Sequence, residues 1–96
     1  MALEMLNASQ RAAELARFPL WSLSPEGKLS REFRFPDFTA AFAFLTAVAI
    51  EAEKLNHHPE IRNVYNRVSL ELTTHDAGGL TALDFTLAAR IEARLA

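Results

Sequence analysis

Apolar and polar positions alternate along this chain with two different periods. From about Leu3 to Arg17, Leu6, Ala13 and Ala16 fall near one face of a helical wheel, with Leu3 and Leu15 at its margins and strong helix formers between. Pro19 ends that helix. Leu20 to Ser24 then alternates apolar with polar for part of its length, Pro25-Glu26-Gly27-Lys28 has turn chemistry, and Leu29 to Phe35 alternates again, which predicts a β-hairpin. Pro36-Asp37 opens a second helix with Asp37 as N-cap, and Phe38, Phe42, Leu45, Ala49 and Ala52 recur at three- and four-residue spacing. Phe44, Val48 and Leu55 widen that stripe, so the helix needs cover on more than one side. It stops at Asn56.

From Val64 to Thr74 the period returns to two, with Val64, Asn66, Val68, Leu70 and Leu72 on one side of a long strand. Asp76-Ala77-Gly78-Gly79 makes a loop, and Thr81-Ala82-Leu83-Asp84 has the form of a capping box for a third helix whose buried stripe is Leu83, Leu87, Ile91 and Leu95. A fourth strand comes from residues 60 to 64 or from a bend within the long strand. The economical fold class is α+β, an antiparallel sheet with helices on one face.

Ninety-six residues make a single domain, residues 1–96, expected to bury roughly 60–65% of its unfolded surface. Half of the residues are hydrophobic and 23% are charged, the balance of a packed chain rather than a disordered one. A net charge of −2 without a lysine or arginine run lacks the footprint of direct nucleic-acid binding. The longest apolar stretch, Phe38 to Ile50, is too short to span a bilayer, and the N-terminal stretch, with an acid at Glu4 and no sustained apolar run, does not read as a secretory signal. With no cysteine, thiolate chemistry and disulfides are excluded, and the expected location is the cytoplasm.

The candidate chemistry lies in Glu53-Lys54-Leu55-Asn56-His57-His58-Pro59, two adjacent imidazoles at a rigid helix exit with a carboxylate one turn behind the first. The third histidine, His75, follows the long strand. Ordinary surface histidines are one reading. A zinc or iron site is another, but neighbouring side chains at 57 and 58 diverge, and the spacing is poor for one ion. General acid–base catalysis is the third: elimination of water needs one proton delivered to a departing hydroxyl and another removed nearby, which two imidazoles can do near neutral pH. Glu53 or Asp84 can orient the rings, although Asp84 already has a place in the capping box. Neither a Gly-x-Ser-x-Gly elbow nor a phosphate-binding glycine motif is present.

The spacing Glu53, three residues, His57-His58-Pro59, five residues, Tyr65, nine residues, His75, eight residues, Asp84 resembles the pterin-4a-carbinolamine dehydratases, also known as dimerisation cofactors of a homeodomain transcription factor. The similarity extends through Trp21, Phe35-Pro36-Asp37-Phe38, Ala52 to Leu55, Asn63 to Asn66 and Thr74-His75, covering about Leu20 to Ile91. It implies a four-stranded antiparallel sheet with three helices in the order α-β-β-α-β-β-α, and dehydration of 4a-hydroxytetrahydropterin to quinonoid dihydropterin in the recycling of a cofactor of aromatic amino acid hydroxylases. It implies no metal and no organic cofactor. His57, His58 and His75 become the active-site histidines, with His57 to Pro59 and Thr74, His75, Asp76 and Ala77 as substrate-contacting segments. Glu53 and Asp84 are supporting carboxylates, and Tyr65 and Trp21 either line the pocket or pack as buried aromatics. The resemblance also implies a homodimer or homotetramer, and the family includes a member that bridges a transcription factor, so a non-enzymatic binding or assembly role is the alternative.

Overall fold

Asn7 starts the first helix. Its side-chain oxygen accepts from Gln10 N–H while the Gln10 side chain accepts from Asn7 N–H, a reciprocal cap that fixes α1 at Ala8–Leu15. The computed structural model describes residues 3–95, and in it the helix begins five residues later than periodicity predicts. β1 (Ser22–Leu23) and β2 (Leu29–Arg34) form the expected hairpin, and α2 (Phe38–Leu55) begins at the Asp37 cap, whose carboxylate accepts from Ala40 N–H. β3 (Glu60–Val64), β4 (Arg67–Leu72) and α3 (Ala82–Ala93) complete the order α-β-β-α-β-β-α.

The fourth strand expected from residues 60 to 64 forms as β3, and the strand expected to run from Val64 to Thr74 is shortened to β4 by a turn at Tyr65-Asn66. Tyr65 takes a left-handed φ of 50°, and the Asn63 side chain donates to the carbonyls of Tyr65 and Arg67, bracing the turn from inside. The Asn66 amide donates to Phe35 O, tying the tip to the end of β2. All pairings are antiparallel, in the order β1-β2-β4-β3, so the last strand in sequence lies inside the sheet.

One face of the sheet contributes Leu29, Phe33, Val68, Leu70 and Leu72 to the core, against Phe44 and Val48 of α2 and Phe85, Leu87 and Ile91 of α3. The buried side of α2 is rotated from the predicted stripe. Ala41, Phe44, Leu45, Val48, Glu51 and Ala52 face inward, whereas Phe38 and Phe42 are 49% and 54% exposed, with ring centroids 5.5 Å apart and planes tilted by 54°. On α3 the inward set is Asp84, Phe85, Leu87, Ala88 and Ile91, and Leu95 is exposed. Among the described residues no helix is long and apolar enough to cross a membrane.

Glu51 enters the core side of α2 because α3 supplies its counter-charges. Arg94 donates to its Oε2 at 2.8 Å and Arg90 to its Oε1 at 3.4 Å. The Arg94 hydrogen bonds hold the Glu51 carboxyl below its ordinary 4.5, against the opposing effect of desolvation. A carboxyl depressed on folding contributes stability above its unfolded value and loses it as pH falls through the folded value. Glu51→Gln is therefore expected to melt below wild type at neutral pH, with the gap in Tm closing well below pH 4.5. A gap that widens in acid would contradict this.

Candidate active site

The exit of α2 sets the geometry. Asn56 adopts a left-handed φ of 49°, which asparagine tolerates well, and His57 N–H reaches back to Ala52 O at 3.0 Å while Asn56 N–H bonds Glu53 O. This closure reverses the chain within one residue and sends the two imidazoles apart. His57 turns inward, where its Nε2 lies 2.6 Å from Oδ1 of the fully buried Asp84 at the start of α3. His58 folds outward and meets Glu53 Oε1 through its own Nε2, both groups remaining exposed. Glu53 thus serves the second ring and not the first, because the reversal at Asn56 carries His58 back over the helix end.

A carboxylate can only accept, so each imidazole donates its Nε2–H. Each Nδ1 is left without a protein partner among the described residues. Asp84 accepts two more hydrogen bonds at Oδ2, from the Thr74 hydroxyl at 2.8 Å and from the Thr81 N–H at 2.9 Å, and the second of these is half of the predicted capping box. The cap and the site are one piece of structure.

His75 arrives from the other side. Thr74 bridges to Gly79, and residues His75–Ala77 make a single 3₁₀ turn ended by Gly78 at φ 82°. The segment before α1 braces this loop: Leu6 N–H donates to Leu80 O at 2.8 Å, and Gly79 lies so close to Met5 that an added Cβ would stand 2.8 Å from its sulfur. Asn56, His57, His58, Thr73, Thr74, His75 and Asp76 together line a cleft of about 280 Å³, near the lower end of small-molecule sites. All three histidines border it.

Asn56 and Thr73 were missed by sequence reasoning; the preference of asparagine for left-handed helix ends was the available signal for the first. Pro59 and Ala77 flank the cleft without lining it. Trp21 is buried, edge-on to Phe33, with its indole N–H donating to Glu92, so it is a core residue. Tyr65 is exposed at the far end of β3, roughly 16 Å of strand from His58. Neither aromatic reaches the cleft. Among the described residues no group of three or more His, Asp or Glu side chains is arranged to hold a metal ion.

A family model described as Pterin 4 alpha carbinolamine dehydratase matches residues 4–94. The chain belongs to this dehydratase family. A relative from Rhizorhabdus wittichii is 53% identical over 95 residues, with 97% of each chain covered, and one from Solibacter usitatus is 51% identical over 88 residues, with 92% of each covered. Both carry the provisional name pterin-4-alpha-carbinolamine dehydratase. Among solved structures, a transcriptional coactivator/pterin dehydratase from Brucella melitensis superposes with a TM-score of 0.92 at 37% identity, covering 97% of this chain and all of that one. A pterin dehydratase-like protein identified as a RuBisCO assembly factor in the alpha-carboxysome superposes at 0.66 with 26% identity, covering 77% of this chain and 87% of that one. The dehydratase fold is therefore shared by proteins described in quite different terms.

Proposed function

We propose that this protein dehydrates 4a-hydroxytetrahydropterin to quinonoid dihydropterin and water by histidine acid–base catalysis, in tetrahydrobiopterin recycling. The observation that carries the reading is the convergence of three imidazoles on one cleft, one of them backed at 2.6 Å by a buried carboxylate. Loss of water breaks the C4a–O bond; the departing hydroxyl takes a proton and the adjacent ring nitrogen gives one up. His57 suits the second task, because the imidazolium formed when Nδ1 takes a proton has the Asp84 counter-charge at its other nitrogen. His75, on the opposing loop, delivers the proton to the hydroxyl. His58 and the backbone from Thr74 to Ala77 position the substrate. The proposed reaction uses neither a metal nor an organic cofactor, and its substrate comes from an aromatic amino acid hydroxylase in the cytoplasm.

The test is direct. Breakdown of 4a-hydroxytetrahydropterin is followed spectrophotometrically with the purified protein, and acceleration well above that of His57→Ala is expected. Equal rates would favour the alternative, a binding, assembly or coactivator role on the same fold, as described for the assembly-factor neighbour.

Self-association belongs to the same proposal. Phe38, Phe42 and Ile50 recur along the outer side of α2 with 45–54% of each exposed, an apolar strip that a second copy would cover. Phe42→Glu is expected to lower the mass seen by light scattering while leaving the melting temperature of the monomer little changed; an unchanged mass would remove this face from the interface.

A further inference from the structure

The direction of every hydrogen bond around Asp84 can be traced. Leu83 N–H donates to Thr81 Oγ1 at 3.3 Å, and the Thr81 and Thr74 hydroxyl oxygens lie 2.9 Å apart. Thr74 Oγ1 is also 2.8 Å from Asp84 Oδ2. A hydroxyl has one proton, and a carboxylate offers none, so the Thr74 proton goes to Asp84. The contact between the two threonines must then be donated by Thr81. The network reads in one direction: Leu83 N–H to Thr81, Thr81 O–H to Thr74, Thr74 O–H to Asp84 Oδ2, with His57 Nε2–H meeting Oδ1 from the other side. All four of these side chains are buried or nearly so, with no buried polar atom left unpartnered among the described residues.

We infer that Thr74 is a positioning residue, whose hydroxyl relays the polarity of the α3 N-terminus to Asp84 and thereby fixes His57 as its Nε2–H tautomer, leaving Nδ1 as the nitrogen that handles the substrate proton. The catalytic part of this inference rests on the proposed dehydratase reading; the tautomer does not. A substrate-contacting hydroxyl at 74 is the competing role, and it is disfavoured because both contacts of that hydroxyl point inward. Without it, Asp84 keeps only Thr81 N–H at Oδ2, and Thr81 O–H loses its acceptor. The carboxylate is then less firmly held, so Oδ1 is no longer fixed opposite Nε2–H and the ring loses part of its preference for leaving Nδ1 free as a base.

The ring ¹⁵N spectrum of His57, recorded where the imidazole is neutral, tests this without substrate. Wild type is expected to show a protonated Nε2 and an unprotonated Nδ1; an Nδ1–H ring would overturn the inference before any variant is made. Thr74→Val is expected to mix the tautomers and lower kcat roughly 10–100-fold with little change in KM, a fraction of what a positioned acid–base group supplies. Thr74→Ser, which keeps the hydroxyl, should restore both. A Thr74→Val protein with a wild-type spectrum and kcat, or with a change confined to KM, would overturn the positioning role. If the tautomer responds as stated but wild type dehydrates no pterin, the relay stands and the dehydratase reading falls.

Discussion

Replacing His57 by alanine is expected to lower kcat about 10²–10⁴-fold, the usual contribution of a positioned acid–base group, equivalent to about 3–5 kcal/mol of barrier. The structural reason is the asymmetry of the histidine pair. His57 is backed by a fully buried carboxylate, whereas His58 shares an exposed one with solvent. Screening leaves the exposed pair worth little, so His58→Ala is expected to act chiefly through KM. Losing the His57 ring also leaves Asp84 short of one donor, at a cost of about 1–3 kcal/mol, so turnover should be normalised to folded protein. Full turnover in a folded His57→Ala variant would remove this ring from the chemistry.

The largest expected loss of stability follows Asp84→Ala. Thr74 O–H, Thr81 N–H and His57 Nε2–H all converge on this side chain in a position with no solvent exposure. Removing the acceptor strands buried donors and deletes half of the α3 capping box, together costing about 3–5 kcal/mol. Against a typical total of about 5–15 kcal/mol that is a large share, readable as a lower denaturation midpoint in urea. Asp84→Asn separates the two roles. Its carbonyl can still cap Thr81 N–H, but its amide must then face His57 as a donor, so the variant should recover part of the stability and little of the turnover. A cost below about 1 kcal/mol for Asp84→Ala would show that the network is not what holds this corner.

What the sequence made legible and what it hid can be traced to individual residues. Asp37, Thr81 and Asp84 announced the starts of α2 and α3 because caps are local chemistry. The turn at Tyr65-Asn66 was hidden because apolar alternation runs straight through it and neither residue is glycine; the turn is held by the Asn63 and Asn66 side chains instead. The inward face of α2 was misplaced because nearly every side of that helix is apolar, and the residue that marks the true face, Glu51, is charged. Its partners Arg90 and Arg94 lie too far along the chain for any local pattern to reveal. The three histidines were visible from the first. Which carboxylate each ring would take was not, since that depends on a single left-handed residue, Asn56, turning the chain between them.

The strand order carries a consequence for biosynthesis. β2 waits for β4, which pairs along its whole length from Leu29↔Leu72 to Arg34↔Arg67. That partner is made roughly 40 residues later, a delay of a few seconds at about 5–20 residues per second. During that interval α2 has already been synthesised with no sheet to lie against, and its phenylalanines are open on every side. The nascent chain is thus most adhesive after α2 has left the ribosome and before its central strand has followed, so chaperone occupancy on this protein should peak in that interval.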